Sequence, residues 1–133
     1  MPARWSSPVR YVECDQQGVV FNAHYLVWAD EASTVLWAVL GLPWAELSAM
    51  GGEPVVKAST LEWNSSARFG DVVDVEAEVE RVGRTSLTLR FLVRVGERLC
   101  CVVRTTYVWL TADGPAPWPD AVRARLDADL PLG

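Results

Sequence analysis

Residues 13–43 read ECDQQGVVFNAHYLVWADEASTVLWAVLGLP, and the succession of patterns inside them decides the fold. A polar turn from Asp15 to Gly18 comes first, followed by Val19, Val20, Phe21 and Asn22. Leu26, Val27, Val35, Leu36, Val39 and Leu40 then recur at helical spacing until Gly41 and Pro43 stop the run. Asn22 suits an N-cap, because its side-chain oxygen can accept from a free N–H at a helix start. The spacing predicts one long helix over about residues 23–41. Upstream, residues 8–14 (PVRYVEC) alternate in the manner of a short strand ending near Asp15. Downstream, residues 43–52 (PWAELSAMGG) read as a helical turn closed by a glycine pair.

From Glu53 the period changes to two and holds to about Leu110, so the helix precedes most of a sheet. Val73, Val75, Ala77 and Val79 alternate with Asp74, Glu76, Glu78 and Glu80; Leu87, Leu89, Phe91, Val93 and Val95 alternate with Thr88, Arg90, Leu92 and Arg94. With residues 83–85 as the hairpin loop, Val82 falls opposite Ser86, Glu78 opposite Arg90 and Asp74 opposite Arg94. Residues 95–99 (VGERL) form a second tight turn, and the proline-rich residues 114–119 end the sheet. A short amphipathic helix follows over about 119–129. The expectation is one α+β domain over 1–133, an antiparallel five-stranded sheet mainly at 53–111 packed on one long helix.

Composition narrows the function. Half of the 133 residues are hydrophobic, and the net charge of −5 argues against a general nucleic-acid binder, which would show a basic stripe. Three cysteines, two of them adjacent, fit a reducing compartment and no disulfide framework. One histidine and no paired-cysteine motif leave no zinc-ligand set, so neither a metal nor a cofactor is expected. No long apolar span or signal-like start stands out, and the protein reads as soluble and cytoplasmic, with no membrane partner.

The stretch RYVECDQQGVVFNAHYLVWADEAS (residues 10–33) closely resembles the signature of the hotdog-fold acyl-CoA thioesterases, in the 4-hydroxybenzoyl-CoA thioesterase-like subfamily. Asp15, Gly18, Phe21 and Tyr25 stand at the motif positions. The resemblance continues through residues 54–71 (PVVKASTLEWNSSARFGD) and 82–89 (VGRTSLTL). Asn22 and His24 depart from the pattern, where many relatives carry His or Tyr and then Asn. Ser66 replaces the usual proline, and Trp63 a tyrosine. The resemblance implies a hotdog sheet wrapped around the central helix, assembled as a homodimer or homotetramer with acyl-thioester sites at the dimer interface. The substrate would be an acyl-CoA or acyl-carrier protein.

Thioester hydrolysis needs an activated oxygen nucleophile and donors aimed at the carbonyl oxygen as it becomes negative. Asp15 can meet the first need, either by attacking the carbon or by deprotonating a water. A turn aspartate bonded to its own loop is the other reading. Backbone N–H groups of Asn22, Ala23 and His24 at the helix start can form the oxyanion site. Gly18 supplies a backbone conformation closed to other residues or lets the acyl group approach. Phe21, Tyr25, Ser59, Thr60 and Trp63 are candidates to contact substrate. The resemblance implies CoA contacts by Arg68, Arg84, Thr85 and Ser86, for which guanidinium and hydroxyl groups suit phosphate. No nucleophile elbow accompanies His24, and Cys14, Cys100 and Cys101 read as strand or core residues. Two other functions share the fold: a non-catalytic acyl-thioester binder, and an enoyl-thioester hydratase. The hydratases resemble one another in a His five positions after the Asp, where this chain has Val20.

Overall fold

The computed structural model describes residues 3–130; residues 1–2 and 131–133 of the expected domain lie outside the described residues. In order come β1 (Ala3–Pro8), a 3-10 turn (Tyr11–Glu13), α1 (His24–Val39), α2 (Trp44–Ala49), β2 (Gly52–Trp63), β3 (Val72–Val82), β4 (Ser86–Val95), β5 (Arg98–Thr111), β6 (Gly114–Ala116) and α3 (Asp120–Asp129). The strands pair antiparallel in the order β1-β3-β4-β5-β2, and β6 joins the end of β5.

The alternating strand patterns bury Val73, Val75, Ala77 and Val79 on β3 and Leu87, Leu89, Phe91 and Val93 on β4. Cys101, Val103, Thr105, Tyr107 and Trp109 continue this inner face on β5. Helix α1 lies across it, touching β1, β3, β4 and β5, which is the expected helix-on-sheet arrangement. The outer face carries the charges. Glu78 faces Arg90 and Asp74 faces Arg94, as the pattern predicts, although Arg94 leans to Glu76 at 3.4 Å. A bulge between Val79 and Arg81 sets Val82 opposite Leu87 rather than Ser86. The sheet also has a sixth strand. Thr111 Oγ1 donates to the Gly114 carbonyl at 2.8 Å and accepts from the Asp113 N–H at 3.2 Å, folding the proline-rich stretch back onto β5.

The helix is where expected, but its buried stripe is not. Tyr25, Trp28, Ala29, Ala32, Leu36 and Trp37 face the core, while Leu26, Val27 and Val39 are exposed. Aromatic and alanine residues carry the packing face, with Tyr25 and Trp28 edge-on at 5.1 Å between centroids. The Tyr25 hydroxyl accepts the N–H of Ala67, at 3.0 Å and fully buried, tying α1 to the loop before β3.

The first strand lies earlier than residues 8–14. β1 pairs with β3 from Ala3 to Pro8, and the Val9 N–H still reaches the Asp71 carbonyl at 2.8 Å. Beyond it, the Glu13 carboxylate turns back to the Arg10 N–H at 2.7 Å, and this local bond takes the chain out of the ladder into the 3-10 turn. Glu13 is only 1% exposed; it also accepts from Arg10 Nη2 at 3.2 Å and from the indole Nε1–H of Trp28 at 2.8 Å. Burial pushes its carboxyl up, but the bonds from Arg10 and Trp28, with the Arg10 charge, outweigh that and hold it below the usual glutamate range.

Two stability measurements check these ties. Tyr25→Phe leaves a buried N–H without an acceptor and should cost about 1–3 kcal/mol, seen as a lower urea midpoint at unchanged slope. A carboxyl with a depressed folded pKa stabilises the fold above its unfolded pKa, and that contribution is lost as pH falls through the folded value. The thermal midpoint of Glu13→Gln should therefore lie furthest below wild type at neutral pH, the gap narrowing as pH falls below about 4.3. A gap constant into strong acid would contradict an ionised Glu13.

Candidate active site

The polar turn of the sequence is a small hairpin. Cys14 and Val20 bridge across it, the Asp15 N–H donates to the Val19 carbonyl at 2.9 Å, and the Gly18 N–H donates to the Asp15 carbonyl at 3.0 Å. Gly18 has φ +77° and no atom within 4 Å of where a Cβ would stand, so it is there for the left-handed turn and not for clearance. Asp15 is exposed. Its Oδ1 accepts the Gln17 N–H at 2.8 Å, while no bond to Oδ2 occurs among the described residues. It is thus a turn aspartate whose second oxygen is directed by the first and left open.

The far arm of this hairpin runs straight into α1. Val19 bridges to Arg68, and the Val20 N–H donates to the Ala67 carbonyl at 2.9 Å, so the hairpin rests on the loop before β3. Asn22 is not the N-cap: Ala23 holds that position with helical backbone angles, and no side chain caps the helix. The chain enters through a turn instead, in which the His24 N–H donates to the Phe21 carbonyl at 3.0 Å. That removes the His24 N–H from the expected oxyanion set. Leu26 and Val27 both donate to the Ala23 carbonyl, and among the described residues the N–H groups of Asn22, Ala23 and Tyr25 have no protein acceptor. Both Asn22 and Ala23 are exposed. The His24 ring packs edge-on against exposed Phe21 at 6.3 Å and makes no hydrogen bond with the described residues.

From Ala23 a groove runs along the uncovered side of α1. Its first part, about 490 Å³, lies between Leu26 and Val27 on the helix and Val56, Thr105 and Tyr107 on the sheet. Its second, about 320 Å³, continues past Asp30 to Trp37, Trp44 and Pro54. Burial is the main reason that the Tyr107 phenol is pushed up to about 12, with nearby Ser33 opposing the shift and the Asp30 charge reinforcing it, so it remains neutral. The sequence reading missed Asp30 and Tyr107; the inward phase of β5, set by Val103 and Thr105, was the signal for Tyr107.

The remaining candidates scatter. Tyr25 is 1% exposed and belongs to the core, not to a substrate surface. Ser59 and Trp63 share the inner face of β2, Ser59 bonding Thr105 at 2.9 Å, but Thr60 turns to the outer face opposite Arg104, because successive strand residues point oppositely. Arg68 and Arg84 stand at opposite ends of β3, about 30 Å apart, and cannot hold one phosphate group within a single chain. Arg84 is exposed at the hairpin tip beside half-buried Thr85 and Ser86. The hairpin backbone is braced from behind: Arg123 Nη1 donates to the Gly83 carbonyl at 2.9 Å, and the Trp118 indole donates to Ser86 O at 3.0 Å. Cys100 and Cys101 are buried, and burial pushes the Cys101 thiol up to about 11, which suits a core residue. Among the described residues no three His, Cys, Asp or Glu side chains gather to hold a metal ion, and no helix is long and apolar enough to cross a membrane.

A family model, the thioesterase-like superfamily, matches residues 9–126. The acyl-CoA thioester hydrolase YbgC of Escherichia coli is 30% identical over 84 residues, 63% of this chain and 63% of that protein. The crystal structure of TT1821, a hypothetical protein from Thermus thermophilus, superposes with TM-score 0.90 at 27% identity, covering 96% of this chain and 98% of that one. A thioesterase from the same organism, complexed with coenzyme A and Zn, gives TM-score 0.85 at 27% identity over 98% of this chain and 96% of its own. The family match spans β3, β4 and β5, the helix across them and the hairpin that leads into it, and by that match this chain belongs to the thioesterase-like superfamily of hotdog-fold proteins.

Proposed function

We propose that this protein hydrolyses acyl-CoA thioesters to a carboxylic acid and free coenzyme A, with Asp15 as the oxygen base or nucleophile. One observation carries the reading: a carboxylate with one open oxygen sits on the hairpin whose other arm delivers the unpaired N–H groups of Asn22 and Ala23, beside an apolar groove. Those donors suit a carbonyl oxygen that gains negative charge, since they are fixed before the reaction begins. The groove suits an acyl chain. The E. coli relative's name and the coenzyme A in the Thermus thermophilus structure support the same chemistry. Val20 is buried where a hydratase would need its histidine, which sets that alternative aside.

The working unit in this reading is a homodimer. β2 ends the strand order, so one edge of its 12 residues is unpaired among the described residues, and an isologous pairing of two such edges is the simplest cover. Antiparallel pairing would reverse the second sheet and turn its β3–β4 hairpin end, with Arg84 of the partner subunit, toward the Asp15 end of the first. The pantetheine arm separates a thioester from the CoA phosphates, so the two groups act on one substrate without touching.

Asp15→Asn should fold normally and lose about 10² to 10⁴ in kcat, whereas His24→Asn should stay within about tenfold of wild type, because the His24 ring makes no hydrogen bond with the described residues. Near wild-type thiol release from the purified Asp15→Asn protein would remove Asp15 from the chemistry. Arg84→Ala should raise KM for acyl-CoA more than for a thioester lacking the nucleotide. Mixed dimers of Asp15→Asn and Arg84→Ala subunits should recover a fraction of sites with wild-type KM, because one site then carries both lesions and the other neither. No recovery on mixing would place Arg84 in the same subunit's site or outside it.

A further inference from the structure

Asp15 is exposed on a hairpin of few residues, and an isolated two-stranded hairpin is marginally stable in water. Something must fix its carboxylate against the start of α1, because a displacement of about 1 Å can cost about 10² in rate. The outgoing arm is held by Arg68 and Ala67, as described. On the incoming arm, the tie to α1 is the hydrogen bond from the Trp28 indole to Glu13 Oε2, 2.8 Å long and two residues before Asp15. The Glu13 main chain adds to it: its carbonyl accepts the Phe21 N–H at 2.9 Å, just before the N–H groups at the helix start.

We propose that Glu13 is a positioning residue, whose buried carboxylate fastens the arm bearing Asp15 to the flank of α1 and sets the distance between the Asp15 carboxylate and the Ala23 N–H. The inference rests on Asp15 being the group that acts on the thioester. Trp28 stands five residues into the helix from Ala23, about 7.5 Å along a rigid element, so a bond made there locates the arm relative to the helix start. Both carboxylate oxygens are in use, Oε1 by the Arg10 N–H and Oε2 by Arg10 Nη2 and the Trp28 indole. Glutamine cannot replace this set, because in either orientation its NH₂ group meets a donor that needs an acceptor. Aspartate lacks the methylene needed to reach both sides. The charged and titratable groups lining the small cavity around Glu13 are Arg10 and Glu31, with Trp5, Ser7, Val27 and Trp28 completing it.

The test measures kcat and KM per folded site, by thiol release from acyl-CoA well below the unfolding midpoint, for Glu13→Gln, Trp28→Phe, Asp15→Asn and the Glu13→Gln/Asp15→Asn double variant. Glu13→Gln and Trp28→Phe should each lose about 10- to 100-fold in kcat with KM within about threefold. In the Asp15→Asn background Glu13→Gln should cause little further loss, because a positioning residue has nothing left to position. Unchanged kcat per folded site in both single variants would overturn the proposal. So would a rise confined to KM, or the same fold-loss with and without the Asp15 carboxylate, which would make Glu13 a stabilising residue only. If Asp15→Asn itself keeps full turnover, the assignment of Asp15 fails and this inference fails with it. If Asp15→Asn is inactive while Glu13→Gln is fully active, the positioning role alone is wrong.

Discussion

A single helix cannot cover this sheet, and most of what makes the molecule functional follows from that mismatch. An α-helix with its side chains is about 10–12 Å across, whereas five strands at about 4.8 Å spacing extend about 19 Å between the outermost backbones. α1 lies over β1, β3 and β4 and reaches β5, and only the short α2 packs against β2, so the inner side of β2 is covered in part. The consequence is visible in the residues. Val56 on β2 and Leu26 and Val27 on the helix are apolar and exposed across a groove, where a covered sheet would have packed them together. The strand order separately leaves one β2 edge unpaired among the described residues, with Pro54 and the bulge at Lys57 as its breaks.

The helix start is the fixed point of the candidate site, and the surrounding ties converge on it. Tyr25 anchors it to Ala67; Ala67 in turn receives Val20 from the hairpin; Glu13 reaches Trp28 from the other arm. Each of these is a bond between a side chain or backbone group and α1 or its immediate support, made by residues that are themselves buried. The exposed atoms, Asp15 Oδ2 and the N–H groups of Asn22 and Ala23, are therefore presented by a framework that does not depend on them. Charges on the outer sheet face, Glu78 with Arg90 and Glu80 with Arg104, stiffen the opposite surface without entering the groove.

How much of this the sequence discloses depends on whether the decisive bonds are periodic. The hairpin of β3 and β4 was legible down to the Glu78–Arg90 pair, because burial and charge alternate together on both strands. The long helix was legible in extent but largely misread in phase: Leu26, Val27 and Val39 looked like the core stripe, yet of the expected residues Leu36 alone is fully buried, the rest of the apolar stripe is Tyr, Trp and Ala, and Leu26 and Val27 turn to the open groove. Residues 8–14 alternate like a strand, yet the Glu13 carboxylate closes a local turn that no periodicity reveals. In the site, Asp15 falls on the hairpin that leads into the helix start, since the two adjoin in sequence. Arg68 meets the hairpin through its bridge to Val19, but Arg84 and Thr60 do not, because β3 separates the two arginines and strand parity turns Thr60 away.

The two readings of Asp15, turn residue and reactive carboxylate, are complementary in this geometry. Bonding Oδ1 to the Gln17 N–H restrains rotation of the carboxylate and leaves Oδ2 without a partner among the described residues, an arrangement that serves a turn residue and the proposed reacting oxygen alike. In the proposed reading the oxyanion donors are main-chain groups, and main-chain donors place no demand on side-chain identity. On that reading the departures at Asn22 and His24 leave the donors unchanged. Asn22 need not cap a helix that starts at Ala23, and His24, its own N–H engaged by Phe21, needs only a ring that packs there. On the proposed reading, substitution at these positions reshapes the mouth of the groove while the main-chain donors stay where the backbone puts them, so variation there would bear on which acyl group is admitted rather than on how its thioester is opened.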